Sequence, residues 1–194
     1  MIEESLAAPH LTTSRLVLRP VHQQDREVLH QLFTGPGVRR FLWDDEVIPM
    51  GRTQEVIDRS GEMFEANRGG LWVAWASADP TLLAGFGGLW PFRDPPAMEL
   101  LYGVAEPLWG KGYASEIARA VTTYCLGTLG MSTVRASTDV ANVASIRVLE
   151  RVGFRFVRRA HVGRLDTVFY ELTQLHGTEP IRVNHGELAP DRIG

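Results

Sequence analysis

The chain has 194 residues, of which 44% are hydrophobic and 22% charged, an ordinary composition for one globular domain that argues against disorder. The net charge of -3 gives no sign of a basic nucleic-acid-binding face, and the single Cys125 excludes an internal disulfide framework or cysteine-based metal site. Residues 1–5 lack the apolar run of a signal peptide, and no stretch of about 18 apolar residues predicts a membrane span. We therefore expect a cytoplasmic protein with neither nucleic acid nor membrane as a partner.

The first part of the chain predicts one strand followed by two helices. Residues 1–13 have no clear pattern and are expected to form a loose lead-in. Residues 15–19 alternate in character and favour a strand that Pro20 ends. Helical spacing then predicts one helix over 24–33 and a second over 53–66. The stretch 38–50 between them contains aromatic residues and is expected to be irregular.

The pattern then switches to strands. Two apolar runs separated by the turn-forming Ala78-Asp79-Pro80 predict an antiparallel hairpin over 71–77 and 82–90. A loop over 91–96 is expected to lead to a third strand. The remaining predicted elements, in order, are strand 98–104, helix 112–126, strand 133–138, helix 142–151 and strands 154–161 and 167–173. Residues 176–194 lack periodicity and are expected to form a mobile tail.

The predicted order of elements, β-α-α-β-β-β-α-β-α-β-β, defines the fold class. It indicates a single α+β domain over 12–175, with a mixed, mostly antiparallel sheet of about seven strands flanked by helices. Strands 98–104 and 133–138 flank one helix, so they should run parallel in that sheet. Ligands favour the carboxyl ends of such strands.

A glycine-rich turn lies at that carboxyl end. Gly110 and Gly112 can leave several backbone N–H groups pointing into one concave spot, and the following helix adds unpaired N–H groups and its positive dipole end. Lys111 adds a positive charge. The combination suits a phosphate or diphosphate, but by itself the signal is weak, because a tight turn with a solvent-facing lysine is the commoner explanation.

A second motif follows the next strand. Asn142, Ser145 and Leu149 are three and seven residues apart, which places them on one helix face. Asn142 is also a good N-cap, Ser145 sits where an N-cap contacts its partner, and Gly153 is a typical C-terminal stop. Capping alone therefore explains this spacing, and the motif gains meaning only together with the first.

Together the two motifs resemble the GNAT superfamily of acyl-CoA-dependent N-acetyltransferases, and more closely its RimJ/RimL-type branch. The likeness covers roughly residues 12–174, and the predicted order of strands is that of the family. The residues that carry it are Met98-Glu99-Leu100-Leu101-Tyr102, Trp109-Gly110-Lys111-Gly112-Tyr113-Ala114-Ser115-Glu116, Asn142-x-x-Ser145-x-x-x-Leu149-Glu150-Arg151-x-Gly153-Phe154 and Asp166-x-x-x-Tyr170-x-Leu172.

The resemblance implies acetyl-CoA as cosubstrate and no metal. It implies that the backbone at Tyr102 and Val104 pairs with the pantetheine arm and that Asn142 reaches the pantetheine amides. The coenzyme diphosphate would be held by the turn that follows, at Trp109, Gly110, Lys111, Gly112, Tyr113, Ala114 and Ser115. The family pattern often begins this turn with Gln or Arg, so Trp109 puts one side-chain contact to the phosphates in doubt.

Three residues are candidates for the chemistry. Glu99, on the strand expected to border the cleft, is the first candidate for general base, with a solvent-facing or ion-paired carboxylate as the alternative. Ser145 is by resemblance the candidate acid toward the leaving thiolate, with a capping role as the alternative. Tyr170 could donate that proton instead, or simply pack in its strand. Cys125 is expected to pack in the core, and the histidines show no metal-ligand spacing.

The acceptor is expected to be a primary amine, on a protein N-terminus or on a small molecule such as an antibiotic, polyamine or amino-acid derivative. It should enter from the side of 38–50 and 91–97, whose acidic residues suit a cation: Asp44, Asp45, Glu46 and Asp94. A non-catalytic acyl-CoA-binding or regulatory module on the same fold is the alternative. The sequence leaves the oligomeric state open, with a homodimer among the alternatives.

Overall fold

The computed structural model describes residues 9–92 and 97–174. Its strands are β1 (Leu11–Thr12), β2 (Leu16–Pro20), β3 (Leu71–Ala76), β4 (Asp79–Phe92), β5 (Ala97–Val104), β6 (Thr133–Asp139), β7 (Arg155–Val162) and β8 (Leu165–Thr173). Its helices are α1 (Arg26–Thr34), α2 (Pro36–Leu42), α3 (Met50–Glu65), α4 (Tyr113–Gly127) and α5 (Val143–Val152), with 3-10 turns at Gln23–Asp25 and Glu106–Leu108. The predictions for the tail 176–194 and for residues 1–8 and 93–96 lie outside the described residues.

The eight strands of the described residues form one sheet in the order β1-β2-β3-β4-β5-β6-β8-β7. Neighbouring strands run antiparallel except β5 and β6, which are parallel as predicted. Within the described chain the β5–β6 register consists of Glu99 opposite Arg135, whereas β5 pairs with β4 from Ala97 to Val104. Beyond Glu99 and Arg135 the two strands therefore diverge, and a gap opens in the sheet toward their carboxyl ends.

The sheet separates two cores. Strand residues alternate between faces, so Trp72 and Ala74 pack with α4 and α5, while Leu71 and Val73 pack with α1 and α3. The predicted core residue Cys125 lies on the first side with no exposure, and its burial raises the pKa of the thiol to about 12. The gap between β5 and β6 thus opens between two packed layers.

Local predictions were wrong at four points, the fourth of which is the far end of β4. The stretch expected to be irregular over 38–50 begins inside α2 (Pro36–Leu42), because Pro36 occupies the first turn of a new helix, where proline is well accommodated. The lead-in contains β1, whose two residues pair with β2. The hairpin turn lies at Ser77-Ala78, and Asp79 already belongs to β4, where its carboxylate accepts hydrogen bonds from Thr81.

Strand β4 is longer at its other end as well. It extends through Pro91 and Phe92, which the sequence assigned to the loop 91–96. These two residues pair with Met98 and Ala97 at the start of β5. The remaining element boundaries agree with the predicted ones to within a few residues, as expected for frayed ends.

Candidate active site

The turn between β5 and α4 exposes backbone N–H groups. Gly110 and Gly112 have φ angles of +74° and +82°, a region that glycine adopts without strain. Gly112 is the N-cap of α4, and no side chain of the described residues caps the first turn. The N–H groups of Tyr113, Ala114 and Ser115 therefore have no intrahelical partner and coincide with the positive end of the helix dipole.

Ser115 adds a side-chain hydroxyl to the unpaired N–H groups of this turn. The residue is 4% exposed, and its hydroxyl has no hydrogen-bond partner among the described residues. A buried polar group without a partner is costly, so its retention indicates a ligand or water contact. The turn can thus offer both backbone and side-chain donors to an anion.

A cluster of residues from the N-terminal part of the chain braces the turn. The Arg15 guanidinium donates to the Lys111 carbonyl at 2.9 Å and to the Glu116 carboxylate at 2.8 Å, and lies 4.4 Å from the centre of the Tyr113 ring. The Thr13 hydroxyl donates to the same carboxylate at 2.6 Å. Burial alone would raise the pKa of Glu116, but the hydrogen bonds from Thr13 and Arg15 and the charge of Arg15 outweigh burial and lower it.

Backbone groups of β5 point into the gap beside β6. The Ala105 N–H donates to the Ala84 carbonyl on β4, and peptide groups alternate along a strand, so those of Tyr102 and Val104 point away from β4. The Val104 carbonyl already accepts a hydrogen bond from the Trp109 indole N–H at 2.8 Å. The Tyr102 peptide groups and the Val104 N–H are therefore the ones that face the gap.

Trp109 connects the turn to α2. A Cβ added to Gly37 would lie 2.3 Å from the indole ring, so the ring covers the bare backbone of α2 at that point. The indole is nevertheless 53% exposed. Where the family pattern often has Gln or Arg, this chain therefore has a side chain that ties α2 to the end of β5.

The N-terminus of α5 closes the gap from the other side. The Asn142 side-chain oxygen accepts a hydrogen bond from the Ser145 N–H at 3.1 Å, which confirms the capping interpretation. The Ser145 hydroxyl lies 2.8 Å from the Tyr102 hydroxyl, which also donates to the Ser145 carbonyl at 3.2 Å. Burial raises the pKa of Tyr102 to about 12, against a smaller opposing effect of the bond to Ser145.

Tyr170 lies apart from this pair. Its hydroxyl donates to Glu150 at 3.4 Å, and its ring packs edge-on against Phe156 at 5.9 Å. Burial, and next the charge of Glu150, raises the pKa of Tyr170. Glu150 follows Ser145 by five residues, about 7.5 Å along the helix axis, so the two predicted proton donors do not contact the same partner.

Glu99 projects to the opposite face of the sheet. It is 4% exposed, which excludes the solvent-facing alternative, and it accepts a hydrogen bond of 2.5 Å from the Ser137 hydroxyl across the β5–β6 junction. Asp139 lies two residues beyond Ser137 on the same face. Burial, and secondly the negative charge of Asp44, raises the pKa of Asp139. Asp44 of the predicted acceptor side thus lies within electrostatic range of the end of β6.

The fold and the turn define a class of protein, the acyl-CoA-dependent acyltransferases with a split sheet. Residues 15–155 match the family model described as the acetyltransferase (GNAT) domain. The chain belongs to the GNAT acetyltransferase family and is an acetyl-CoA-dependent acyltransferase. In the part of the chain that the structure describes, no helix has the length and hydropathy needed to cross a membrane.

Known proteins agree with this assignment. The uncharacterised N-acetyltransferase YoaA of Bacillus subtilis (strain 168) is 26% identical over 147 residues, 76% of this chain and 83% of that protein. An acetyltransferase from Agrobacterium tumefaciens str. C58 has the same fold, with a TM-score of 0.74, 23% identity and coverage of 86% and 95% of the two chains. The RimL ribosomal L7/L12 alpha-N-protein acetyltransferase, solved with coenzyme A, has a TM-score of 0.71 and 17% identity, with coverage of 85% of this chain and 98% of that chain. The predicted membership of the GNAT family is confirmed, and RimL shares the fold.

Proposed function

We propose that this enzyme transfers the acetyl group of acetyl-CoA directly to a primary amine in a ternary complex. The observation that carries the proposal is the uncapped first turn of α4, which lies beside a gap in the sheet lined by unpaired backbone groups. The turn suits a diphosphate, and the gap suits an extended arm that bears amides. The family membership supports the cosubstrate.

The residues present fit the coenzyme. The backbone of 109–115, together with the unpartnered Ser115 hydroxyl, would hold the diphosphate. The Tyr102 peptide groups and the Val104 N–H would pair with the pantetheine amides. Because the Asn142 side-chain oxygen already caps α5, Asn142 would contribute its NH₂ group as a donor. Bound acetyl-CoA supplies an activated thioester carbonyl.

One carboxylate and one hydroxyl would handle the protons. Glu99, held by Ser137 on the face covered by α1 and α3, would accept a proton from the attacking amine, directly or through water. The Asp44 and Asp139 charges would attract a cationic acceptor to that side. Ser145, on the opposite face, would donate a proton to the departing thiolate. No acyl-enzyme is needed when both substrates are held together.

An α-amine is the favoured acceptor within this class. Its reference pKa near 8 lies about two and a half units below that of lysine, which makes deprotonation easier by roughly 3 kcal/mol. RimL, with the same fold, is described as an alpha-N-protein acetyltransferase. A small-molecule amine is the alternative acceptor that the sequence leaves open. The acceptor screen below therefore includes both kinds.

The test begins with coenzyme binding. Acetyl-CoA at about 100 times a micromolar Kd should stabilise the protein by roughly 2.7 kcal/mol, measured as an increase in Tm. Gly112→Glu should abolish the increase, because a carboxylate would lie at the anion site. An unchanged Tm in the wild type would overturn the proposal.

Turnover distinguishes the enzyme from a non-catalytic acyl-CoA-binding module. Peptide N-termini, lysine side chains, polyamines and amino-acid derivatives would be screened by release of free thiol. Glu99→Gln should abolish release while keeping the Tm increase, and the exposed Glu65→Gln is the matched control. Coenzyme binding with no turnover of any amine, together with an inert Glu99→Gln change, would favour the non-catalytic module.

A further inference from the structure

We propose that Tyr102 is a positioning residue for acetyl transfer, because its hydroxyl orients the Ser145 hydroxyl toward the departing sulfur. The inference rests on the proposed function and adds the Tyr102 hydroxyl, on β5, to the Ser145 hydroxyl, on α5. The proposed function uses only the backbone of Tyr102. Its side chain carries the new role.

The geometry starts from the position of Tyr102 in the sheet. Its side chain shares a face with Leu100 and Val104, which pack toward α4 and α5. From there the phenol reaches the first turn of α5 and contacts both the hydroxyl and the carbonyl of Ser145, at 2.8 and 3.2 Å. The contact crosses the gap at the point where β5 and β6 are no longer paired.

The single phenol proton can serve only one of the two oxygens at a time. When it is donated to the Ser145 carbonyl, the Ser145 hydroxyl donates back to the Tyr102 oxygen and its proton is engaged. When it is donated to the Ser145 hydroxyl oxygen, the Ser145 proton is directed elsewhere and is available to another acceptor. The second arrangement prepares Ser145 as a proton donor.

The proton balance closes. As the carbon–sulfur bond breaks, the electron pair stays on sulfur, the Ser145 O–H bond breaks and an S–H bond forms. The serine oxygen takes a proton from water as its own proton is transferred, so no free alkoxide forms beside the more acidic phenol, and Tyr102 donates its hydrogen bond throughout. The proton lost by the amine leaves through Glu99. Because the pKa of Tyr102 is about 12, the phenol remains a donor throughout the neutral range.

A purely structural tie between β5 and α5 is the alternative, and kinetics separate the two. Tyr102→Phe should lower kcat about 10- to 100-fold, within the range of general acid catalysis, and change the KM for acetyl-CoA less than about twofold. Tyr124→Phe is the matched control, because it removes the hydroxyl of another buried tyrosine, on α4. A kcat equal to that of the wild type, or a loss confined to KM, would overturn the inference.

A double variant tests whether Tyr102 acts through Ser145. Ser145→Ala with Tyr102→Phe should be no slower than Ser145→Ala alone, because the hydroxyl that Tyr102 orients is already gone. Independent, multiplying losses would overturn the inference. A wild type without turnover of any amine would overturn both this inference and the proposed function, whereas an active wild type with an indifferent Tyr102→Phe overturns this inference alone.

A substitution that keeps the shape of the ring covers the case in which Tyr102→Phe does not fold. Difluorotyrosine incorporated at position 102 lowers the pKa of the phenol while leaving its packing nearly intact. The alkaline limb of the kcat–pH profile should then move to lower pH, because the donor is lost by ionisation. A structural tie predicts an unchanged profile, and that result would overturn the inference.

Discussion

The guanidinium of Arg15 and the carboxylate of Glu116 lie 2.6 Å apart and join the residue before β2 to the first turn of α4. Because Arg15 also donates to the Lys111 carbonyl, the pair fixes both sides of Gly112. An Arg15 nitrogen would lie 3.5 Å from a Cβ added there. The ion pair thus shapes the turn proposed to hold the diphosphate and adds a cation beside it.

Glu116→Gln should lower stability at neutral pH by about 1–2 kcal/mol, because a charged acceptor of several hydrogen bonds is lost. The partial exposure of Arg15 keeps the loss from being larger. The folded pKa of Glu116 is lowered, so its contribution is full above the unfolded value near 4.3 and disappears as pH falls through the folded pKa. The Tm difference between wild type and variant should therefore be large at pH 7 and shrink below about pH 4. A difference independent of pH would contradict this account.

Gly112→Ala should weaken acetyl-CoA binding at least tenfold. The φ of +82° costs a residue with a Cβ about 1 kcal/mol, and relaxation of that strain would turn N–H groups away from the anion site. Gly127→Ala, at the end of α4, is the matched control, because an added Cβ meets no described atom within 4 Å. Isothermal titration with acetyl-CoA would measure both, and equal affinities would show that the turn geometry is dispensable.

Gly37→Ala sets helix propensity against packing. In α2 alone, alanine should stabilise by up to about 1 kcal/mol, but here its Cβ would lie 2.3 Å from the Trp109 ring. We expect a net loss of about 1–3 kcal/mol. Gly61→Ala, in α3 with open space around the new methyl group, should gain stability instead. Chemical denaturation of the two variants would check the opposite signs.

The sequence predicted the fold where local chemistry decides. The Asn142 cap and the glycine turn depend on residues close together in the chain, and the parallel pairing of β5 and β6 follows from the single helix that connects them. α2 was missed because a proline can end one helix or begin the next, and the pattern does not distinguish the two.

The sequence pattern did not predict contacts between residues far apart in the chain. Arg15 and Glu116 are 101 residues apart, and neither belongs to a motif that names the other. The contact between the hydroxyls of Tyr102 and Ser145 likewise depends on where two strands separate, which spacing within a chain does not encode. Glu99 was found by resemblance, but its burial and its bond to Ser137 required the structure.

Asp44 and Asp139 bring two carboxylates within electrostatic range of each other at the end of β6. Asp44→Asn removes the negative charge that, after burial, raises the pKa of Asp139. A carboxyl whose folded pKa is raised destabilises the protein once pH rises through that value, so the variant should gain roughly 0.5 kcal/mol at pH 7. It should gain nothing below the unfolded pKa near 3.9, where Asp139 is protonated in both states. Asn tolerates the positive φ of 50° at this position, which limits backbone effects.

Asp44→Asn should also weaken binding of the amine acceptor. With one acidic charge fewer, the KM for a cationic amine should rise several-fold while the KM for acetyl-CoA stays constant, a stability gain at the expense of function. Asp45→Asn is the control, because Asp45 pairs with Arg39 at 2.8 Å and its loss should bring no gain in Tm. A higher Tm for Asp44→Asn with an unchanged KM for the amine would show that the charge of Asp44 does not contribute to binding of the acceptor.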